Sequence, residues 1–548
     1  MATLLLYLQQ EMKNKIFVAL FICVLLIGVF LRFYKLGEIP NSLDWDEVSQ
    51  GYNAYSILTT GRDEFGASYP ATIRSFNDYK PPVYTYLTTL PVKIFGLSPF
   101  SVRFPAALFG SLSMLIVYGL VYELFKKEKY ARKVALLSMF FFSISPMSIQ
   151  FSRTGFDANV AAFFVMLGSW LFIRYLSKEK IWPIFIGVFF LGLSIYTAHS
   201  EKIFTPLLFV FLLFYARKFL LSKKIILISL IAFFAILNIF WFFDSETKVR
   251  SKGVLFTSST QESFDRSVRE MGFDEEQNDK FNAALHNRRL VYASKYIENY
   301  LSHFNLNYLF IHGDNARHHS PGVGVLYLVS LPLILFGAFF IIRRKIYSSF
   351  ILFAWLFFAP LASSFAIDAP NYQRSLIFLP AFHVFEALGL FYFISIIKKI
   401  RLSYFFIGIF LILLTLNIFY FLHQHFFHTN SEYGKYWQYG YKEAIAFVNA
   451  NVDAKKRVFF ANDIEQGYMF YLFYNKYSPK KYLSENGSNR MNTPCYSIDN
   501  AYFGICKEMI SKGDIYITSK GEESSDFKRI KKIDYLNKEI AVEIFERL

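Results

Sequence analysis

The sequence is poor in charge and in cysteine, and both shortages narrow what the chain can be. Only 18% of its 548 residues are charged and three are cysteines. Ordinary soluble domains carry about 25% charged residues, so this composition lies outside their range. The cysteines have no zinc-binding spacing. No internal repeat, low-complexity tract or nucleic-acid motif is visible.

The chain is instead rich in apolar residues. The chain is 54% hydrophobic and 20% aromatic, with a mean hydropathy of +0.30, so the apolar excess must face lipid. The net charge of +16 does not indicate a nucleic-acid partner, because the basic residues form short clusters between apolar runs instead of one polar face. The first run, near 16–31, is followed by no small-residue cleavage site, so we expect a retained helix.

Eleven apolar runs approach the roughly 20 residues that a helix needs to cross about 30 Å of hydrocarbon. They lie near 14–34, 103–125, 131–149, 157–176, 181–198, 203–221, 224–243, 323–342, 347–366, 374–397 and 402–424. Basic residues mark the turns after the even-numbered runs: Lys126, Lys127, Lys129, Arg132, Lys133, Lys178, Lys180, Arg217, Lys218, Lys223, Lys224, Arg343, Arg344, Lys345, Lys398, Lys399 and Arg401. Basic turns stay in the cytoplasm. We therefore expect a multi-pass plasma (inner) membrane protein with a cytoplasmic N-terminus and an extracytoplasmic C-terminal part.

The outer side of this topology carries most of the polar sequence. Two long outer loops, 35–102 and 244–322, belong to a membrane domain over 1–425. In the first loop, stretches 47–60 and 83–95 are predicted as amphipathic helices at the outer membrane surface.

Residues 426–548 are predicted to form a small α/β extracytoplasmic domain. It contains a helix over 441–451 and strands over 457–461, 514–519 and 539–545. Cys495 and Cys506 lie close together in this domain, so a disulfide is allowed there and their Cα atoms are expected within about 7 Å.

Charged side chains near the outer ends of the spans are candidates for function, because such charges are expensive in a membrane protein. The cations Lys80, Arg153, Lys202, Arg317 and Arg374 could form one pocket for a phosphate or pyrophosphate headgroup. Asp46, Glu47, Asp157 and His199 share this side of the membrane. Each has a structural alternative: a basic residue can snorkel to headgroups, and Asp46 can cap the helix that starts at Glu47. Their convergence on one side favours a binding site.

The histidines near 312–319 permit a second kind of site. His312 and His318 with Asp314 offer imidazole and carboxylate ligands for a divalent cation. Their spacing matches no metal motif, and polar loop histidines are common. A metal site and an ordinary polar loop therefore both stay open, and no cofactor is certain.

Several short motifs resemble a known family. Asp46-Glu47 after the first span, Lys80-Pro81-Pro82 before a surface helix, and Ser152-Arg153 with Asp157 follow the order seen in GT-C glycosyltransferases. The branch resembled is that of the protein O-mannosyltransferases and the lipid A aminoarabinose transferases. Stretches 196–206, 313–318 and 371–376 are also similar to prokaryotic members. The resemblance covers about 15–425 and leaves out the C-terminal part.

The resemblance implies a fold, a reaction and roles. In that family a polyprenyl-phosphate-linked monosaccharide is transferred with inversion, outside the cytoplasm, to a lipid, glycan or protein acceptor. By position, Asp46 resembles the catalytic base, Glu47 a second acidic contact and Lys80 the phosphate-contacting lysine. Weaker matches or neighbours in sequence complete the substrate-binding candidates: Tyr79, Arg153, Asp157, His199, Lys202, Arg317 and Arg374. Physics agrees, because a lipid-linked headgroup must lie at the membrane surface, where cations stabilise a departing phosphate.

Three alternatives remain. A transporter or flippase of a lipid-linked or polar substrate would also place charge in a membrane protein, although such proteins bind near the bilayer midplane between repeated halves. A transferase of whole oligosaccharides would share the surface site, and a receptor-like membrane protein needs no reaction. Neither the sugar nor the acceptor follows from the sequence.

Overall fold

The computed structural model describes residues 2–76, 78–176, 181–243, 261–277, 282–346, 349–397, 403–522 and 524–548. Five basic residues used for the predicted orientation lie outside these ranges: Lys178, Lys180, Lys398, Lys399 and Arg401. Part of the predicted outer loop 244–322 also lies outside them.

The α-helices of the described residues are, in chain order, α1 (Ala2–Phe33), α2 (Trp45–Thr60), α3 (Val83–Phe95), α4 (Pro99–Phe125), α5 (Ala131–Ile144), α6 (Pro146–Phe151), α7 (Asp157–Leu176), α8 (Trp182–Ile195), α9 (Glu201–Tyr215), α10 (Arg217–Ser222), α11 (Lys224–Phe243), α12 (Gln261–Glu276), α13 (Asn282–Leu285), α14 (Arg288–Ser302), α15 (Ser330–Arg344), α16 (Ile351–Ser363), α17 (Tyr372–Ser375), α18 (Leu379–Ile397), α19 (Ser403–His423), α20 (Thr429–Glu432), α21 (Tyr441–Asn451), α22 (Gly467–Tyr474) and α23 (Pro479–Ser484). The strands are β1 (Ile73–Ser75), β2 (Asp78–Lys80), β3 (Val458–Phe460), β4 (Cys495–Ile498), β5 (Ala501–Gly504), β6 (Ile515–Thr518), β7 (Phe527–Asp534) and β8 (Ile540–Arg547).

In the described residues, each of the eleven predicted spans contains a helical segment. In the described ranges, five helical segments are long and apolar enough to cross a membrane: Asn14–Phe33, Pro99–Phe125, Asp157–Leu176, Tyr372–Ile397 and Tyr404–Glu432. Other runs form shorter helices, and the third is divided into α5 and α6 where Pro146 begins a new helix, since proline is well suited to the first helical turn. A membrane protein is therefore confirmed, and the number of eleven crossings stays a prediction.

By its internal contacts the chain forms two compact units. Unit 1 comprises Met1–Arg32, Phe109–Phe151 and Ala158–Phe421. In it, α15 and α18 approach closely because Gly337 meets the backbone of Phe385 and Gly389 meets the backbone of Leu333, with no room at either glycine for a Cβ. Such small residues let helix backbones pack in a membrane.

A buried cation also holds unit 1 together. The Arg32 guanidinium, fully buried in the first candidate span, donates to the carbonyls of Gly28 (2.9 Å) and Ser143 (3.1 Å) and to the Ser148 hydroxyl (2.6 Å). These bonds tie α1 to the end of α5 and to α6. Polar partners of this kind offset part of the cost of placing a charge at membrane depth.

Unit 2 comprises Phe33–Leu108, Ser152–Asp157 and Leu422–Leu548. It holds a six-stranded sheet in the order β4-β5-β3-β6-β8-β7, in which β3 lies parallel to β5 and β6 and the other pairs are antiparallel. The predicted strands over 457–461, 514–519 and 539–545 are observed as β3, β6 and β8, and the predicted helix over 441–451 is α21. Cys495 and Cys506 form a disulfide with their Cα atoms 5.2 Å apart, as predicted.

The predicted boundary at 425 differs from this grouping, because the first outer loop folds with the C-terminal region. Helix α2 shares one apolar core with the sheet and α22, and the Tyr52 hydroxyl donates to the Tyr477 carbonyl at 3.2 Å. Since α2 is buried along most of its length, its prediction as an amphipathic surface helix is wrong. Helix α3 instead exposes Leu90, Ile94 and Phe95, which fits the predicted contact with lipid.

Candidate active site

The N-terminal turn of α2 fixes the first acidic cluster. Asp44 is the N-cap: its Oδ1 accepts from the Glu47 backbone N–H at 2.8 Å, and the Asp44 N–H donates to Glu47 Oε2 at 3.2 Å. This reciprocal arrangement satisfies two N–H groups of the first turn. The helix therefore begins at Trp45, and Asp44, not Asp46, caps it.

Glu47 is buried and occupied by protein partners. Its Oε1 accepts from Arg103 Nε at 2.8 Å and from the Gly155 N–H at 2.6 Å, and its Oε2 accepts from Arg103 Nη2 at 3.0 Å. The remaining Arg103 donors bond the carbonyls of Leu36, Pro40 and Ser42. Because both side chains are fully buried and bonded on every side, this pair sets the position of α2.

Asp46 lies one residue earlier and has a different environment. Its Oδ1 lies 2.6 Å from Lys80 Nζ, and the Asp46 side chain is 34% exposed while that of Lys80 is 10% exposed. The two candidates that the sequence separates by 34 positions are therefore in contact. An acid that is partly open to solvent beside a nearly buried cation can reach a ligand that Glu47 cannot.

A short hairpin presents Lys80. Strand β1 pairs antiparallel with β2, which places Ile73 opposite Lys80 and Arg74 opposite Tyr79. The Lys80 ammonium lies 5.1 Å from the centre of the Phe76 ring, a cation–π distance. Phe76 itself has a left-handed backbone with φ of 59°, which is unusual for an aromatic residue. The ammonium of Lys80 is thus contacted by Asp46 of α2 and by the Phe76 ring between the two strands.

The turn at 152–157 contacts the segment between α1 and α2 through Arg153. The Arg153 Nη2 donates to the carbonyls of Lys35 and Ile39, each at 3.3 Å, and its guanidinium lies 5.2 Å from the Phe426 ring centre. Burial, reinforced by the nearby positive charge of Arg103, lowers the pKa of Arg153 to about 9. The side chain is fully buried, so it acts on the backbone between α1 and α2.

Two further predicted residues lie in the same unit. Asp157 is the last residue of this turn and the first of α7, and Tyr79 occupies the middle of β2. Gln50 of α2 joins the turn to the helix by donating from Nε2 to the Gly155 carbonyl at 3.2 Å. Unit 2 therefore contains Asp46, Glu47, Tyr79, Lys80, Arg153 and Asp157.

The other predicted residues belong to unit 1. Asp314 Oδ2 contacts His318 Nδ1 at 2.8 Å and accepts from the Tyr372 N–H at 2.7 Å. Arg374 forms an ion pair with Asp368, and the Arg317 carbonyl accepts from Gln150 at 3.2 Å. His199 lies two residues before α9, and Lys202 is the second residue of that helix. The predicted convergence of all these side chains in one pocket stays a prediction.

The predicted metal ligands do not gather into a cluster. His312 is exposed, whereas Asp314 and His318 are a buried pair. In the part of the chain that the structure describes, no group of three or more His, Cys, Asp or Glu side chains could hold a metal ion. The Asp314–His318 pair instead fixes the loop before α15 to the start of α17.

Sequence reasoning missed two buried charges. Arg103 opens the second predicted span, and a charge inside an apolar run was the available signal. Glu64 is fully buried and accepts from Asn53 Nδ2 (3.0 Å), Ser488 Oγ (2.5 Å) and the Tyr468 hydroxyl (3.2 Å). Burial raises the pKa of Glu64 to about 7. It joins the first outer loop to the C-terminal region and had no signal in its local sequence.

Comparison with known proteins is consistent with this architecture. Residues 79–241 match the family described as "Dolichyl-phosphate-mannose-protein mannosyltransferase". The "Putative mannosyltransferase YkcB" of Bacillus subtilis (strain 168) is 28% identical over 237 residues, which are 42% of this chain and 31% of that protein. The chain thus matches about a third of the length of this curated relative.

Two solved structures match along nearly the full chain. ArnT from Cupriavidus metallidurans in the apo state aligns with a TM-score of 0.52 and 10% identity, over 98% of both chains. The same protein bound to undecaprenyl phosphate aligns with a TM-score of 0.51 and 11% identity, over 96% of this chain and 97% of that one. These likenesses concern the fold.

Proposed function

We propose that this chain catalyses glycosyl transfer, because its fold is similar to that of ArnT and its sequence motifs resemble those of the GT-C membrane glycosyltransferases. The donor is a monosaccharide, hexose or pentose, linked to a polyprenyl phosphate, and transfer takes place on the extracytoplasmic side. The observation that carries the proposal is the contact of Asp46 with Lys80 at 2.6 Å, in which the Asp46 side chain is 34% exposed and so open to a ligand.

The reaction assigned to this pair is an inverting displacement. The acceptor oxygen forms a bond to the anomeric carbon while the bond from that carbon to the phosphate oxygen breaks. The Asp46 carboxylate takes the acceptor's proton, and the electron pair of the broken bond leaves with the polyprenyl phosphate. Lys80 stabilises the negative charge that develops on the phosphate. When the donor phosphate binds Lys80, it replaces Asp46 as the partner of the ammonium and releases the carboxylate for the acceptor.

The neighbouring residues receive supporting roles. We assign Glu47 to positioning, because its carboxylate oxygens bond Arg103, Gly155 and Asp44. Arg153 and Asp157 belong to the turn that supports α2, and Tyr79 stands beside Lys80 on β2. His199, Lys202, Arg317 and Arg374 are proposed to contact the donor headgroup or the acceptor.

Two features support the proposed topology. Unit 2 collects residues 35–102, the turn at 152–157 and the region after 425, which are the segments that the basic turns assign to the outside. The Cys495–Cys506 disulfide fits an oxidising compartment, where such bonds persist. We therefore propose that the N-terminus lies in the cytoplasm and residues 426–548 lie outside it.

The test is donor turnover by the purified chain in lipid nanodiscs. Undecaprenyl phosphates carrying radiolabelled mannose, glucose, galactose or aminoarabinose are offered with a mixed extract of envelope glycans and lipids as acceptor. Asp46→Asn should lower transfer about 10²- to 10⁴-fold, as removal of a general base does. Lys80→Ala should lower it about 10²-fold or more. The exposed Asp526→Asn and Lys93→Ala variants are matched controls and should keep wild-type rates.

Three results would contradict the proposal. Full transfer by Asp46→Asn would remove Asp46 from the reaction. Failure of the folded wild-type chain to consume any of the four donors would contradict the proposed polyprenyl-phosphate sugar donor. Passage of an uncleaved lipid-linked sugar across sealed vesicles would establish the transporter alternative.

A further inference from the structure

Unit 2 contains a cavity of about 550 Å³ beside the Asp46–Lys80 pair. Its walls come from the carboxyl ends of β3 and β5, the start of α22, and two residues of the first outer loop, Trp45 and Phe76. This volume lies within the range of about 300–1,000 Å³ in which proteins hold small ligands. None of the catalytic assignments above uses it.

The strand order explains why a cavity forms there. Strand β3 lies between β5 and β6 and runs parallel to both. From β3 the chain passes through α22 and α23 to β4 and β5 on one side, and it then returns to β6 on the other side. Because parallel strands end at the same edge of a sheet, the carboxyl ends of β3 and β5 lie side by side, and the cavity opens against them.

A series of aromatic rings joins the cavity to the catalytic pair. Trp45 precedes Asp46, and the Phe76 ring lies 5.1 Å below the Lys80 ammonium. The Phe76 ring centre lies 6.2 Å from that of Tyr468, which lies 6.2 Å from that of Tyr496. A ligand seated on these rings is therefore placed next to the carboxylate that takes a proton from the acceptor.

The lining has the chemistry of a site for a neutral, hydroxyl-rich ring. Aromatic faces accept the C–H face of a sugar, and Asn462, Gln466 and Thr493 supply amide and hydroxyl groups for its hydroxyls. Among the described residues that line the cavity, none is Lys, Arg or His and one, Glu465, is acidic. Phosphate binding calls for cations, so an anionic headgroup does not fit here.

We propose that this cavity is the acceptor site and that it binds a neutral sugar residue, so that the acceptor is a glycan. The inference rests on the proposed glycosyl transfer and names its acceptor class. The disulfide braces one wall, because Cys495 and Cys506 follow the lining residues Pro494 and Ile505. Strands β4 and β5 are thereby held together at the rim of the cavity.

The experiment measures acceptor binding and transfer separately. Saturation-transfer NMR with the chain in nanodiscs reports binding of methyl mannoside, methyl glucoside, N-acetylglucosamine and maltose, with a serine- and threonine-rich peptide for comparison. Tyr496→Ala and the exposed Asn462→Ala should each weaken binding of the preferred sugar about tenfold and raise the acceptor KM equally, with donor turnover at saturating acceptor unchanged. Tyr436→Ala, which is absent from the lining, is the control.

The outcomes separate this inference from the proposed function. If Asp46→Asn binds the sugar as wild type does and only the two cavity variants lose it, the acceptor site is established even where no donor has been turned over. A wild-type acceptor KM in both cavity variants would overturn the proposed acceptor site without contradicting the proposed glycosyl transfer. Binding of the peptide in place of every sugar would overturn the glycan assignment. Because Asn462 is on the surface, its variant stays informative should Tyr496→Ala fold poorly.

Discussion

Asp46 and Glu47 are adjacent carboxylates with different surroundings, and the same substitution in each should affect a different property of the protein. Glu47 is fully buried against Arg103, whereas Asp46 is 34% exposed and contacts Lys80. Replacing either acid by its amide removes one negative charge and keeps the shape of the side chain. We expect Glu47→Gln to lose stability and Asp46→Asn to lose activity.

The cost of Glu47→Gln follows from its hydrogen bonds. The carboxylate accepts from Arg103 Nε at 2.8 Å, Arg103 Nη2 at 3.0 Å, Gly155 N at 2.6 Å and Asp44 N at 3.2 Å. An amide keeps one accepting oxygen, and its NH₂ group then faces two donors. A lost bond to a charged partner costs about 1.5–3 kcal/mol, and leaving the Arg103 charge buried without its partner costs about 3–5 kcal/mol in all.

Asp46→Asn should cost far less stability. Its amide oxygen can still accept from Lys80, and a partly exposed ion pair contributes about 0–1 kcal/mol. Its transfer rate should nevertheless fall about 10²- to 10⁴-fold, because an amide takes no proton from the acceptor.

Thermal unfolding of both variants in the same nanodiscs, read by intrinsic fluorescence, gives the stability comparison, and donor turnover gives the activity comparison. Glu47→Gln should unfold several degrees below wild type, and Asp46→Asn within about a degree of it. A Glu47→Gln protein with wild-type stability would refute the view that this pair sets the position of α2. An Asp46→Asn protein as unstable as Glu47→Gln would mean that its lost activity reports unfolding.

Two further expectations concern pH and helix packing. Burial raises the pKa of Glu64 to about 7 from an unfolded value of 4.5, so between these pH values the folded protein binds a proton that the unfolded chain has lost. The free energy of unfolding should therefore fall by about 3 kcal/mol as pH rises from 4.5 to 7 and then level off. Glu64→Gln should remove this pH dependence, and an unchanged slope of unfolding free energy against pH would contradict the assignment. Gly337→Ala should reduce the yield of folded protein in size-exclusion chromatography, because a Cβ there meets the Phe385 carbonyl. Gly408→Ala is the control and should match wild type, since nothing lies within 4 Å of a Cβ at that position. Equal yields of the two variants would show that α15 and α18 can move apart without loss of folded protein.

Much of the fold could be predicted, because the length of an apolar run indicates a membrane helix and the basic residues in the turns indicate its orientation. The contact of Asp46 with Lys80 followed from family-like motifs. The role of Glu47 did not, since its partners Arg103 and Gly155 lie 56 and 108 positions away and nothing near Glu47 in sequence indicates them. The burial of α2 was missed for the same reason: its polar side chain Asn53 bonds inside unit 2, to the Ser49 carbonyl and to Glu64.

The sheet was predicted in part. Strands β3, β6 and β8 are apolar runs, which are easy to recognise. Strands β4 and β5 are four residues each and meet at Asp499-Asn500, where Asp499 has φ of 51°, so the turn residues were the available signal. Strand β7 is largely charged and lies at the sheet edge. Edge strands commonly carry charge, which removes the apolar pattern that sequence reasoning uses.

The bonds of Glu47 have a consequence for biogenesis. During synthesis from the N-terminus, this acid emerges 56 residues before Arg103 and 108 residues before Gly155. Until both have been translated, the carboxylate must remain hydrated or neutral. The first turn of α2, which carries Asp46 and Glu47, can therefore reach its final position only after the ribosome has delivered the turn that precedes α7.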